Sequence, residues 1–362
     1  MKIAIDCRMI GLGGIGVYLD NLLEYWIYNR KENSYLLIGD ESELLAFNKY
    51  SNCKVINTEI RIFSLKELVC FPVKEINKCD VFYTPNYNIP LGIKIPIFST
   101  IHDVVFLDVK GLTSIFGKLV RWLALKRAIK ISAKIFTVSN FSKERIVFHF
   151  REKKEILITY NSIRPDLVRF PIPKQSPFEF SYILFVGNIK KHKGIANLLT
   201  AYNQALKNGF NLKLVIVGNM NNFKTSDKTI SRFLKVIDNN NIVFTGKISD
   251  EQLFKIMAHA ALLVQPSTYE GFGIPPLEAL YLGCNVLVSD IPVFNELYKG
   301  LPVIFFKSGD IEDLRNKIMF YSGVKALGPN IDVRNKINEL FNLEVTARLI
   351  FDSFESIVGC IL

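Results

Sequence analysis

The chain has 362 residues, 49% of them hydrophobic and 22% charged, with a formal net charge of +11. That length corresponds to roughly two domains of about 100–200 residues, with core enough to fold without disulfides or a structural metal. The charge favours anionic partners, but no nucleic-acid recognition motif accompanies it, so nucleic-acid binding is not expected. No run of about 18 apolar residues suggests a membrane span, and Asp6 and Arg8 interrupt the opening MKIAIDCRMI too early for a signal peptide. Cys7, Cys53, Cys70, Cys79, Cys284 and Cys360 form no Cys-x-x-Cys pair and have no His at metal-ligand spacing. They read as reduced thiols of a cytoplasmic protein, with Cys7 and Cys284 in the core.

In chain order, KIAIDCRMI reads as a strand, a Gly-rich turn follows, and Tyr18 to Asn29 reads as a helix. SYLLIGD, DVFYTP and IPIFSTIHD are strand-like, the last ending on His102 and Asp103. Lys118, Arg121, Lys126, Arg127, Lys130 and Lys134 then crowd a helical segment around Trp122. Such a basic amphipathic helix suits an anionic membrane surface, and equally the solvated face of a basic protein. AKIFTVS is the next strand. The prolines of FPIPKQSPFEF break the pattern and read as a linker. The alternation restarts with SYILFVGNI, a helix from about Gly194 to Asn208, then LKLVIVG, NIVFTG and ALLVQPS. A helix around Pro276 to Leu282, NVLVSD, PVIFF and a helical stretch from about Asn338 to Val358 complete the chain. Alternating β and α units predict parallel sheets covered by helices on both faces. The chain thus divides into residues 1–165, a linker 166–180, a second α/β set 181–337 and a terminal helix 338–362.

In such sheets, ligands bind beyond the carboxyl ends of the strands. Gly11-Leu-Gly13-Gly14-Ile-Gly16 follows the first strand and matches Gly-x-Gly-x-x-Gly, with Asp40 ending the second strand. A nicotinamide oxidoreductase must therefore be weighed, although Arg8-Met-Ile makes this loop longer than the tight turn of that fingerprint. Gly14 and Gly16 suit phosphate contact at a helix start, or a plain turn. In YEGFGIPPLEALYLG, seven residues separate Glu270 from Glu278. Gly271 and Gly273 let backbone approach a ligand. The Glu278 carboxylate accepts two hydroxyls, which fits a ribose diol, and Glu270 fits sugar hydroxyls. The alternative is that both acids are solvated in a loop and a first helical turn. Lys190, Lys191, His192 and Lys193 crowd the turn after FVGN, and Lys193 suits a diphosphate gaining charge as it leaves. No Asp-x-Asp occurs, so a transfer needing no metal and no cofactor is expected.

Together GGIGVYLDNLL, FVGNIKKHKG and YEGFGIPPLEALYLG, with STIHDVVFL, FTVSNFSKERI, VFTGKISDEQL and VLVSDIPVFNEL between them, resemble the retaining glycosyltransferases of family 4. The resemblance implies an α/β GT-B fold, two Rossmann-like domains facing each other across a cleft, with the final helix packing back toward the N-terminal domain. It implies a hexose moved with retention from a nucleotide-diphosphate sugar to a glycan or lipid-linked acceptor in cell-surface polysaccharide synthesis. His102, Glu270 and Lys193 are the catalytic candidates. Gly14, Gly16, Asn188, His192, Gly271, Phe272, Gly273, Ile274 and Glu278 join Lys193 as donor-binding candidates, and Asp103, Asn86 and Tyr87 fall on the acceptor side. Asn188 stands where many members carry Arg, so His192 or Lys191 substitutes, or the phosphate is held less tightly. Gly-Asn with His-Lys looks like a mannosyltransferase-type branch. An epimerase of the same fold is the alternative.

Overall fold

The computed structural model describes residues 1–218, 239–321, 323–324 and 326–360. The chain divides into two compact units, Met1–Arg164 with Phe341–Leu362, and Pro165–Leu340.

The first unit holds a seven-stranded sheet: β1 (Lys2–Asp6), β2 (Ser34–Gly39), β3 (Cys53–Asn57), β4 (Val81–Thr84), β5 (Ile97–Thr100), β6 (Lys134–Thr137) and β7 (Ile156–Ile158). The order is β3-β2-β1-β4-β5-β6-β7 and every pairing is parallel. Central strands are buried on both faces, so they appear as continuous apolar runs such as Ile3–Ile5 and Leu36–Ile38. The edge strands β3 and β7 were not legible: β3 is only partly buried and carries Lys54 and Asn57, and β7 is three residues long.

Helix α1 (Gly13–Asn29) begins well before the expected Tyr18, so Gly13, Gly14 and Gly16 form its first turn rather than a separate one. A Cβ on Gly16 would lie 2.3 Å from the Met9 carbonyl oxygen, so the helix start packs directly on the preceding backbone. Its buried face includes Trp26, whose indole packs on Tyr83, Phe351 and Phe354 and donates to the Ala347 carbonyl at 2.9 Å. Ala347, Phe351 and Phe354 belong to the C-terminal helix (Leu343–Gly359), which therefore completes this unit's core. The expected single helix over 338–358 is two: one ends at Leu340, and Asn342 caps the next by accepting from the Val345 N–H. Helices α2 (Leu65–Cys70) and α3 (Ile115–Ile131) are further parts of this unit.

Just past β1 lies a buried ionic cluster that the sequence did not reveal. The Arg8 guanidinium donates to Asp6 at 2.8 and 2.7 Å and to Glu67 of α2 at 2.5 Å, and stacks 4.4 Å from the Phe71 ring centroid. Glu67 also accepts from the Phe63 N–H at 2.8 Å and from Asn88. Burial raises the Glu67 carboxyl above its usual range, against the opposing pull of Arg8 and Asn88.

The second unit holds β8 (Tyr182–Val186), β9 (Lys213–Val217), β10 (Ile242–Gly246), β11 (Leu262–Gln265), β12 (Val286–Ser289) and β13 (Val303–Phe306), in the order β10-β9-β8-β11-β12-β13, all parallel. All six match expected strands. Helices α4 (Ile195–Lys207), α5 (Asp250–His259) and α6 (Ile274–Leu282) cover it. Ser249 and Gln252 form a capping box at α5. The Pro-rich stretch opens as a short helix (Pro165–Arg169) and packs on this unit: Phe170 meets Phe254, and His259 Nε2 donates to the Pro173 carbonyl at 2.9 Å. Among the described residues no helix is long and apolar enough to cross a membrane, and all six cysteines are free.

Deleting the guanidinium in Arg8→Ala strands two carboxylates in the interior. We expect a loss of about 3–5 kcal/mol, read by urea unfolding at pH 7. The Glu67 carboxyl, already raised by burial, then loses the opposing pull of Arg8 and titrates higher still when folded, so the deficit shrinks as pH falls.

Candidate functional site

In a doubly wound sheet the crevice opens where the strand order reverses, because neighbouring connections leave toward opposite faces. In the second unit that point lies between β8 and β11. The loop after β8 carries Asn188 to Gly194, and the loop after β11 carries Pro266 to Gly273.

Backbone contacts lock these loops together. Gly194 has φ +69°, and a Cβ there would lie 1.8 Å from the Pro266 carbonyl oxygen, so only glycine permits the approach. The Thr268 N–H donates to the His192 carbonyl at 2.8 Å. Lys191–Lys193 form one 3-10 turn, which delivers the Lys193 ammonium to Glu270, with Nζ 2.6 Å from each carboxylate oxygen. Ser267 Oγ donates to Glu270 Oε1 at 2.7 Å, and Gln265 Nε2 donates to Ser267 Oγ at 3.0 Å. Burial pushes the Glu270 carboxyl up, but the Lys193 charge and the hydrogen bonds from Lys193 and Ser267 outweigh it and hold it below the usual range. Glu270 is therefore an anion fixed in place. An ammonium has three N–H donors, and two suffice for the carboxylate, so the third can meet a second anion.

His192 beside this pair is buried, and its Nδ1 has no hydrogen-bond partner among the described residues. Burial, aided by the Lys193 charge, lowers its pKa to about 4. The imidazole is neutral at pH 7 in the unliganded protein. Lys191 is exposed, as is Asn188.

The glycine–proline string forms the start of α6. Gly273 is its N-cap at φ +103°, where a Cβ would lie 2.6 Å from the Phe294 ring, and its carbonyl accepts from the Tyr298 hydroxyl at 2.5 Å. Pro275 and Pro276 occupy the first turn, so two N–H donors expected there are absent. Gly271, Phe272 and Ile274 are buried. Glu270 is 7% and Glu278 2% exposed, so neither acid is a solvated loop or surface group. The Tyr298 hydroxyl is pushed well up, first by burial and then by the charges of Glu270 and Glu278, so both carboxylates lie within electrostatic reach of one phenol.

The candidates in the first unit follow three neighbouring strands, β1, β4 and β5. Gly14 is exposed and Gly16 buried against Met9. Asn86 Oδ1 accepts from the Tyr87 and Asn88 N–H groups at 2.7 and 3.3 Å, while its buried Nδ2 has no partner among the described residues. Tyr87 is half-buried against Phe63 and Phe106. Asp103 caps Val105 at 2.9 Å. His102 lies edge-on to Tyr18 with ring centroids 5.0 Å apart, and its buried Nε2 has no partner among the described residues. Burial lowers its pKa to about 3, so it is a neutral imidazole. Asp40 caps a short helix through Ser42.

Gln265, Ser267 and Tyr298 are the site residues that sequence reasoning missed. Ser267 stands in the QPSTYEG string, three residues before Glu270, and was open to notice; Tyr298 lies far along the chain and carried no signal.

Two parallel, doubly wound α/β units are the architecture of the GT-B fold. Residues 169–322 match the family model of the glycosyl transferases group 1. The O-antigen chain mannosyltransferase RfbU of Salmonella typhimurium is 27% identical over 240 residues, covering 65% of this chain and 61% of the Salmonella protein. A glycosyltransferase from Rickettsia africae superposes with a TM-score of 0.71 at 16% identity, over 99% of this chain and 98% of its own. Anabaena Alr3699/HepE, solved in complex with UDP-glucose, gives 0.74 at 17% identity, over 98% and 100%. The segment similar to the glycosyl transferases group 1 lies in the second unit, and the chain spans about three-fifths of the length of the Salmonella relative.

The depressed pKa of His192 makes the second unit acid-sensitive. An imidazole titrating near 6.5 when unfolded and about 4 when folded gives stability that is complete above 6.5 and lost as pH falls toward 4. We expect a loss of up to about 1.4 kcal/mol per pH unit in that window, and a flatter profile in His192→Gln, measured by urea unfolding from pH 7 to pH 4.5.

Proposed function

We propose that the chain moves a hexose from a nucleoside-diphosphate sugar to a glycan or lipid-linked acceptor, with retention, in the assembly of a cell-surface polysaccharide. The observation that carries this reading is the Lys193 ammonium held 2.6 Å from both oxygens of Glu270 at the switch point of the second unit. Cleavage of the bond between the anomeric carbon and the diphosphate leaves charge on the phosphate oxygens. A preplaced ammonium meets that charge as it develops and needs no reorganisation at the moment of reaction. Glu270 orients the ammonium and accepts from sugar hydroxyls, and Glu278 takes the ribose diol. Asn188 and the backbone of Gly271 to Ile274 contribute to the donor site, with His192 as a neutral neighbour. Gly14 and Gly16 serve phosphate contact from the first unit. His102 is a neutral hydrogen-bonding group at the transferred sugar, and Asp103, Asn86 and Tyr87 belong to the acceptor.

The Anabaena structure with UDP-glucose supports a nucleotide-sugar donor, and the Salmonella relative, named for O-antigen mannose transfer, supports a polysaccharide product and a mannose donor. Lysine and backbone N–H groups take the diphosphate charge, so no metal or cofactor is required, and EDTA is expected to leave turnover unchanged. An epimerase would act without an acceptor; product analysis showing a sugar nucleotide converted in the absence of any acceptor would replace the present reading.

Screening UDP, GDP and ADP with their sugars by thermal shift is expected to single out one base. Glu278→Ala then weakens that nucleotide by about 10- to 100-fold, the size of a charge-assisted hydrogen bond, in an intact fold. Lys193→Met lowers kcat about 100-fold with a smaller change in KM. Unchanged affinity in Glu278→Ala removes it from the ribose role.

A further inference from the structure

Helix α3 is not the amphipathic helix its sequence suggested. One side faces the unit's interior: Leu125, Ala128 and Ile129 are buried, and Trp122 stacks on Phe150 with ring centroids 5.8 Å apart. The other side is also apolar. Ile115, Phe116, Leu119, Val120 and Leu123 recur at helical spacing and are all exposed, Ile115 at 92% and Phe116 at 75%. Leu65 and Val69 on α2 add a second outward pair, 83% and 73% exposed. The two helices are linked through the residues between them: the Arg121 guanidinium of α3 sits 5.6 Å from the ring centroid of Phe63, two residues before Leu65, and Arg127 donates to the Ile89 and Pro90 carbonyls while the Leu91 N–H donates to the Leu68 carbonyl of α2. Exposed apolar side chains grouped along one helix face in this way mark an interaction site.

We propose that this face of the first unit docks on an anionic lipid bilayer, with the α3 stripe and the α2 pair entering the headgroup–acyl boundary. Charge selects the occupant. Residues 109–143 contain no Asp or Glu, and Lys118, Lys126 and Lys130 on α3 and Lys66 on α2 are exposed around the apolar stripe. Aromatic and aliphatic side chains on the apolar face with lysines beside them match interfacial helices, where buried apolar area and attraction to anionic lipid add. A second copy of the chain is disfavoured by the same charges, because a two-fold interface sets each patch against itself and would bring like charges together. The inference stands on the surface alone and is independent of the donor reading.

The test is co-sedimentation of the full chain with phosphatidylcholine vesicles, with and without phosphatidylglycerol, and with no nucleotide present. We expect binding to the anionic vesicles that weakens with salt and is roughly tenfold or more lower on phosphatidylcholine alone. Ile115→Ser with Phe116→Ser, and separately Lys126→Glu with Lys130→Glu, should each release the protein while circular dichroism shows an unchanged melting temperature. No binding to anionic vesicles, or binding unaffected by both pairs of substitutions, would overturn the proposal. So would a concentration-dependent dimer in sedimentation velocity that the stripe substitutions abolish.

Discussion

The site in the second unit depends on one close contact. Gly194 lies where any side chain would collide with the Pro266 carbonyl, and that approach joins the loop after β8 to the loop after β11. Without it the Lys193 ammonium does not reach Glu270. With it, a buried anion and a half-buried cation meet at the point where the strand order reverses. The pair is costly to desolvate in isolation. Here Ser267 and the bidentate geometry satisfy both carboxylate oxygens, so the charges persist where a lone carboxyl would protonate.

The His192 imidazole next to this pair is neutral by burial; within the first unit, His102 is held uncharged by its own burial. The cation in direct contact with Glu270 is Lys193. The prolines of α6 remove two N–H groups from its first turn, so fewer backbone donors stand beside the ion pair.

Much of this was legible in the sequence because it rests on local pattern. The six strands of the second unit are apolar runs buried on both faces, and Glu270, Glu278 and Lys193 lie in strings whose glycines and prolines announce a tight backbone. Features that depend on tertiary contact were not legible. The Arg8–Asp6–Glu67 cluster joins residues more than fifty positions apart, and the Tyr298 hydroxyl reaches Gly273 from a separate helix. β3 and β7 were missed because edge strands lack the two-sided burial that makes an apolar run. The double apolar character of α3 was hidden for a related reason: periodicity shows that a helix has apolar sides, but not which side is covered.

The central claim, that Lys193 held by Glu270 is the receptor for a diphosphate, is tested most directly by calorimetry with the preferred nucleoside as its mono- and diphosphate. The account expects the wild type to favour the diphosphate by about 10- to 100-fold, an advantage of the size of a charge-assisted contact, and Lys193→Met to bind both alike. Equal discrimination in the two proteins would contradict it.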